Sequence, residues 1–184
     1  RDLGELYDRL HEGGAASDAR RRATALREAV LRKAVVNDAP GAAGPILGSA
    51  TDGRQHVTTD IPPGSLLKLP ILGFLAEDDP LFTRTFEWLH SANYKYSYSD
   101  RRYGLPGSYR LPFTTSWTIA DELLLKRPHD KASEILLTSP WDAGIITEGI
   151  DPDTAVPDKP GRAFATAAGY VAHAICATAC QPRR

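Results

Sequence analysis

Glu148 lies in a segment of the sequence that could present a carboxylate for acid or base catalysis. Glycines stand on both sides of it, at positions 144 and 149, and a second acid, Asp142, precedes it. The glycines relax the backbone, and the apolar neighbours raise the free-energy cost of charging the acid, so burial can tune its proton affinity. The alternative is a carboxylate that caps or pairs with a neighbouring helix, and this pattern alone leaves both roles open.

The elements that must hold this segment are predominantly helical. Apolar residues recur at helical spacing along most of the chain, and Asp79 followed by Pro80 is typical of a helix N-cap and first turn. Strand patterns are almost absent, apart from a brief one near residues 55–58. The sequence therefore predicts an all-α fold of stacked antiparallel helical hairpins. The predicted helices cover approximately residues 3–10, 19–36, 66–75 (kinked at Pro70), 80–89, 116–125, 130–137 and 161–179.

A long connection, residues 93–112, carries five of the seven tyrosines in the chain. Loops of this length in a compact domain are usually functional or disordered, and an aromatic-rich segment buries readily. Tyrosine offers a flat apolar face with a hydroxyl at its edge, which suits stacking on a sugar ring. We therefore expect Tyr96 and Tyr109 to contact a carbohydrate, with packing over the helices as the alternative for any single tyrosine.

Three loop segments, residues 60–65, 104–109 and 142–151, each precede a predicted helix, so a ring of helical hairpins would open all three at one end. These loops and the short motifs between them follow one another in a fixed order along the chain. The order is residues 60–74, Asp78-Asp79-Pro80, Leu89-His90-Ser91-Ala92-Asn93, Gly107-Ser108 leading to Trp117, and residues 144–148 followed by residues 163–169. This order resembles the six-hairpin toroid glycosidases. In more detail it resembles glycoside hydrolase family 125, the metal-independent exo-acting α-mannosidases, over about residues 27–179.

The resemblance implies an (α/α)6 toroid, of which residues 1–184 form one partial glycosidase domain, the C-terminal half to two-thirds. It implies an inverting exo-α-mannosidase without cofactor or metal, an α-1,6-type linkage in the substrate, and Glu148 as the general base on a water molecule. The general acid would precede Arg1, in the N-terminal remainder of the same domain. Inversion needs two carboxyl groups about 6.5 to 9.5 Å apart, and only one of them is visible in this sequence.

By its position in the resemblance, Asp60 is a ligand for a substrate hydroxyl, supported by Ser65 or Lys68. The alternative is that Asp60 caps the turn that follows it. The expected carbohydrate-binding residues are Asp60, Ser65, Tyr96, Tyr109, Trp117 and Asp142.

Two departures from the family pattern leave the identity of the sugar open. Tyr109-Arg110 stands where a Pro-His pair is expected after Gly-Ser, and residues 157–161 replace a shorter Thr-Gly turn. One alternative is therefore a glucoamylase-like or trehalase-like enzyme with the same ring of helices. Another is a catalytically inactive toroid that serves as a binding or assembly module, and an acidic loop before Arg1 would favour an enzyme over it.

Composition limits the partners. The 184 residues suggest one domain of net charge −1, and the 22 Lys and Arg residues are spread along the chain, which argues against a nucleic-acid surface. The histidines lack metal-ligand spacing, and no apolar run approaches the ~20 residues of a membrane span.

Because the chain starts at Arg1 and contains no methionine, we expect it to be part of a longer protein. No signal-like segment opens it, and the cytoplasm is slightly favoured over secretion.

Overall fold

The structure is a computed structural model that describes residues 2–61, 64–158 and 164–179. These residues form seven α-helices and three antiparallel pairs of two-residue strands, β1 with β2, β3 with β4 and β5 with β6. The helices are α1 (Asp2–Arg9), α2 (Gly13–Lys33), α3 (Lys68–Ile71), α4 (Pro80–Leu89), α5 (Ser116–Leu124), α6 (Asp130–Thr138) and α7 (Ala165–Ala179). The strands are β1 (Val35–Val36), β2 (Ile46–Leu47), β3 (Ala50–Thr51), β4 (His56–Val57), β5 (Thr114–Thr115) and β6 (Gly149–Ile150).

The helical prediction is confirmed, and the brief strand expected near residues 55–58 is β4. The expected N-cap also forms, because the carboxylate of Asp79 accepts a hydrogen bond from Leu81 N at 2.8 Å at the start of α4. The predicted start of the last helix, at residue 161, lies outside the described residues.

Two predicted helices have different boundaries in the structure. α2 ends at Lys33 rather than near residue 36, because Val35 and Val36 form β1 and pair with β2. α2 begins at Gly13 rather than near residue 19, because its first turns lack the apolar stripe on which the prediction depended. The segment predicted to be helical over residues 66–75 forms only the four-residue α3. Pro70 cannot donate a backbone hydrogen bond, and Gly73, with φ of +67°, turns the chain out of the helix in a conformation that favours glycine.

One part of the core surrounds α4. Phe82 and Leu89 of this helix are fully buried against Ile46 and Leu47 of β2. A hydrogen bond fixes the contact, because Thr85 Oγ1 accepts from Leu47 N at 2.9 Å. The β1–β2 pair after α2 is thus attached to α4 through β2.

The second part of the core surrounds α5, which packs against both α6 and α7. Ile119 of α5, Ile135 of α6 and Val171 of α7 meet there with almost no exposed surface. α5 begins directly after β5, where the side chain of Thr115 caps the helix by accepting from Thr118 N at 3.1 Å. Because β5 pairs with β6, residues next to Glu148 are held against the start of a buried helix.

The outer surface of α1, α2 and the turn between them retains large apolar side chains. Leu3, Leu6, Leu10 and Leu26 are each more than half exposed, and the two helices contact mainly each other. None of the helices in the described part of the chain has the length and apolar character that crossing a membrane would require.

Candidate active site

Glu148 lies directly before β6, with its backbone fixed at the start of α5. Its carbonyl oxygen accepts hydrogen bonds from both Ser116 N, at 2.9 Å, and Ser116 Oγ, at 3.1 Å. The residue that follows must be glycine, since a Cβ on Gly149 would lie 2.0 Å from ring atoms of Phe113. This close approach explains the glycine after the acid better than backbone flexibility does.

The side chain of Glu148 is half-buried. Burial, and to a smaller extent the negative charge of Asp158, raise the pKa of Glu148 above its ordinary value. The residues before Glu148 are buried unequally, because Ile145 is about half exposed whereas the polar Thr147 is fully buried. The result is a carboxylate that can reach solvent and takes up a proton more readily than an exposed glutamate.

Asp142 lies in a tight two-residue turn ahead of Glu148. Its amide donates to Ile145 O at 3.2 Å, and its carbonyl accepts from Ile145 N at 2.9 Å. The two residues between them, Ala143 and Gly144, have φ values of +53° and +82°, the left-handed geometry of such a turn. The side chain of Asp142 is half-buried at the base of this turn.

Asp60 is 3% exposed and bonds within its own loop. One carboxylate oxygen accepts from Ser65 Oγ at 2.7 Å, and the other accepts from Leu66 N at 3.0 Å. Burial raises the pKa of Asp60, although these two bonds oppose the change. Asp60 and Ser65 therefore cap the turn that leads into α3, which is the alternative that the sequence left open for Asp60.

A chain of hydrogen bonds brings the three predicted loops together. The Tyr94 hydroxyl accepts from Asp60 N at 3.0 Å and donates to Gly107 O at 2.8 Å. The next residue back, Pro106, offers its carbonyl to Thr118 Oγ1 of α5 at 3.0 Å. Since the start of α5 also binds the carbonyl of Glu148, one framework carries the loops of Asp60, Gly107 and Glu148.

The tyrosines of residues 93–112 divide into buried and exposed members. Tyr94 is 3% exposed and Tyr96 packs against it edge-on, with ring centroids 5.9 Å apart. Tyr109 is 49% exposed at the tip of a turn, where its hydroxyl accepts from Arg110 Nε at 2.8 Å. Tyr109 therefore has an accessible ring, whereas Tyr96 belongs partly to the core.

Trp117 packs against Tyr170 of α7 and against Phe164, the residue before α7. Its ring centroid lies 5.7 Å from that of Tyr170 and 6.1 Å from that of Phe164. Its indole Nε1 is buried and has no hydrogen-bond acceptor among the described residues.

A further acidic group, which the sequence analysis missed, lies one helical turn beyond Trp117. Asp121 has no exposed surface, and one oxygen of its carboxylate binds both the Lys68 ammonium and the Tyr170 hydroxyl, the latter at 2.6 Å. Burial raises the pKa of Asp121 to about 6, against the opposing effect of Lys68. The available signal was a pair of acids, Asp121 and Glu122, on a helix whose other residues are uncharged, since charged residues are rarely buried without a partner.

Lys68 was expected to support Asp60, and its closest contact is with Asp121 instead. Its charge still lowers the pKa of Asp60, so the two acids and the lysine share one electrostatic environment. In residues 2–61, 64–158 and 164–179, no three His, Cys, Asp or Glu side chains converge as metal ligands would.

The family model of the metal-independent α-mannosidases, glycoside hydrolase family 125, matches residues 1–157. The chain belongs to this family. The match begins before residue 27, where the sequence analysis placed the start of the resemblance, and it ends before α7. A comparison with curated proteins gives no match.

A solved family 125 structure has the same fold as this chain. It is a Streptococcus pneumoniae protein, described among metal-independent α-mannosidases as a non-productive substrate complex with α-1,6-mannobiose, and it matches with a TM-score of 0.80 at 19% identity. The match covers 95% of this chain and 42% of that chain. The family 125 fold is an (α/α)6 toroid, so the predicted fold class is confirmed, and this chain spans less than half the length of that relative.

Proposed function

We propose that the protein is a glycoside hydrolase that cleaves α-mannosides with inversion, and that Glu148 is its general base. The observation that carries the proposal is Glu148 itself, a half-buried carboxylate of raised pKa on a backbone fixed to α5. The family match extends over this residue. A base needs a carboxylate that is reachable by water and binds protons well, and Glu148 meets both requirements.

In the proposed reaction, Glu148 removes a proton from a water molecule as the water oxygen attacks the anomeric carbon from the face opposite the leaving group. The C–O bond to the leaving group breaks, and a second carboxylic acid protonates the departing oxygen. That acid would stand about 6.5 to 9.5 Å from Glu148, in residues that precede this chain. Two hydrogen bonds to its carbonyl oxygen fix the backbone of Glu148. In the proposal, this limits where the carboxylate can hold the water relative to the anomeric carbon.

The proposed substrate is an α-linked mannoside, with an α-1,6 linkage at the nonreducing end. Support for mannose comes from the family, and support for the linkage comes from the α-1,6-mannobiose in the Streptococcus pneumoniae complex. The proposal favours mannose over the glucose of glucoamylase-like and trehalase-like enzymes.

Tyr96, Tyr109, Trp117 and Asp142 are proposed to contact the sugar. Tyr109 is the strongest of these, because its ring is exposed at a loop tip beside a guanidinium group. Asp60 and Ser65 are proposed to act on the sugar mainly through the shape of their loop, since both oxygens of Asp60 already accept hydrogen bonds.

The test is the stereochemistry of hydrolysis by the full-length protein. With an activated aryl α-mannoside, proton NMR during the first turnovers should show β-mannose before mutarotation, and a chelator should leave the rate unchanged. The matching aryl α-glucoside serves as the control substrate and should react far more slowly. Initial α-mannose would refute inversion, a preference for the glucoside would refute the proposed sugar, and no hydrolysis of either would favour a non-catalytic module.

A further inference from the structure

Lys68 is held in an unusual position for a lysine. Its ammonium contacts the Asp121 carboxylate and lies 3.9 Å from the centre of the Tyr170 ring. The side chain is 16% exposed, whereas that of Asp121 is 0% exposed. The Tyr170 hydroxyl binds the same carboxylate at 2.6 Å, so three groups from α3, α5 and α7 fix one another.

Stability alone does not account for this cluster. The Asp121 oxygen Oδ2 is buried without a hydrogen-bond partner among the described residues, although a closed structural ion pair satisfies both carboxylate oxygens. Burying an acid and an amine is costly, and well-packed apolar residues in their place are often at least as stable. A costly arrangement with one oxygen unsatisfied is more typical of a functional site than of a structural one.

The position of the cluster connects it to the proposed catalytic site. Asp121 follows Ser116, which binds the Glu148 carbonyl, by about 7.5 Å along the axis of α5. The Tyr170 ring contacts both the Lys68 ammonium and the Trp117 ring. Lys68 also follows the Asp60 loop, so its ammonium lies between that loop and the aromatic pair formed by Trp117 of α5 and Tyr170 of α7.

We propose that Lys68 binds a hydroxyl group of the sugar through its ammonium, and that Asp121 and Tyr170 position it for this contact. The inference rests on the proposed glycosidase function and adds a residue to it. An ammonium has three N–H donors, and Asp121 accepts from one of them, which leaves donors for a sugar oxygen. The partial exposure of Lys68 lets a ligand reach the ammonium, while the buried Asp121 acts only through Lys68.

The test is a set of double-mutant cycles in which the second change is made in the substrate. Lys68→Met keeps the length of the aliphatic stem and removes the donors. The full-length protein and this variant are assayed with an aryl α-mannoside and with its 2-, 3-, 4- and 6-deoxy analogues. We expect Lys68→Met to raise KM for the parent mannoside by about 10-fold or more, with a smaller change in kcat. For the one analogue that lacks the bonded hydroxyl, the same substitution should change kcat/KM by less than about 3-fold.

Lys131→Met is the matched control. Lys131 is also partly buried, but its ammonium donates to the backbone carbonyls of Ser99 and Arg101. We expect it to affect thermal stability and not to discriminate among the deoxy analogues. If Lys68→Met fails to fold, Lys68→Arg is assayed in its place. Arginine keeps the charge and the contact with Asp121 but moves the donors. The loss in kcat/KM should then be smaller for one deoxy analogue than for the parent mannoside.

A Lys68 variant that folds and loses the same factor in kcat/KM with the parent and with all four analogues would overturn the inference, and Lys68 would be structural. That outcome leaves the proposed function intact, because the unmodified protein would still hydrolyse the parent mannoside. If the unmodified protein hydrolyses no mannoside, the proposed function fails and this inference fails with it.

Discussion

Three acids, Asp60, Asp121 and Glu148, have pKa values raised by burial, and they differ in what their oxygens contact. Asp60 accepts two hydrogen bonds within its loop, and Asp121 binds a lysine and a tyrosine. Glu148 is half-buried and can meet water. At the scale of single residues, accessibility rather than proton affinity therefore separates the proposed catalytic base from the two acids that shape the site.

Asp121 gives a prediction about pH. Its folded-state pKa of about 6 lies above the ordinary 3.8, so the folded protein binds this proton more tightly than the unfolded chain. The contribution of Asp121 to the free energy of unfolding should therefore fall as the pH rises from about 4 to about 6, by up to about 3 kcal/mol. Asp121→Asn should lose this component, and equilibrium unfolding of both proteins across that interval measures the difference.

Asp60, whose pKa is raised in the same direction, is present in both proteins, so only the part of its titration that depends on the Asp121 charge remains in the comparison. Parallel stability curves for the two proteins between pH 4 and pH 6 would show that Asp121 does not titrate there. The free energy of unfolding of the unmodified protein minus that of Asp121→Asn should fall as the pH rises. A rise in this difference would contradict the predicted direction.

At the scale of elements, the tyrosine loop supplies a second prediction. The Tyr109 ring is exposed at the tip of a turn that is anchored through Ser108, whose amide donates to Leu111 O at 3.0 Å. Loss of one aromatic contact corresponds to about 3- to 10-fold in affinity. Tyr109→Ala should therefore raise KM by that factor with little change in kcat, and steady-state kinetics on an α-mannoside measure it.

Tyr109→Phe is the control, since it keeps the ring and should keep most of the affinity. Tyr96→Ala should raise KM as well, but it should also lower the melting temperature because Tyr96 packs against the core. If neither alanine variant changes the kinetics, the loop only covers the helices.

The helices were predictable where apolar periodicity and a capping residue coincided. Asp79 with Pro80 identified the start of α4, and the apolar spacing after Thr115 identified α5. α3 was overestimated because its apolar residues are buried without being helical: Leu66, Leu67 and Leu75 lie in the core outside the four helical residues. Burial and helical conformation are separate properties, and a short apolar run reports only the first.

The candidate site was partly predictable for the same kind of reason. Glu148 and Asp60 lie in loops with distinctive neighbours, and loops that precede helices can be recognised locally. The contact of Lys68 with Asp121 joins residues 53 positions apart, and no local pattern encodes it. Tyr94, which links two loops through one hydroxyl, was one tyrosine among five in its segment until the fold showed its partners.

At the scale of the whole molecule, large apolar side chains remain exposed on several elements. Leu10, Leu26, Leu72 and Leu137 are each 59% to 82% exposed, and the chain spans 42% of the solved relative. Exposed apolar surface of this kind normally contacts a partner. We expect residues 1–184 alone to self-associate as the protein concentration rises. Light scattering after size-exclusion chromatography measures this.

Replacing Leu26 and Leu72 together by lysine should reduce that association, because both side chains are exposed and neither belongs to the buried core. A monodisperse monomer of residues 1–184 that melts cooperatively would contradict the expectation that this surface is covered in the longer protein.

One substitution tests the central claim most directly. Glu148→Gln in the full-length protein should lower kcat by about 10² to 10⁴, with little change in melting temperature, because the amide cannot take a proton from water. Asp153→Asn, an exposed acid of the following turn that pairs with Arg101, is the matched control and should keep its activity.

Azide supplies the decisive measurement with this variant. An inverting enzyme without its base leaves the water position open to a small anion that needs no deprotonation. With Glu148→Gln and an activated α-mannoside, added azide should restore turnover and yield the β-mannosyl azide, identified by NMR. Full activity of Glu148→Gln without azide, or loss of activity that accompanies unfolding, would contradict the assignment and leave Asp142 or Asp151 as the next acid to replace.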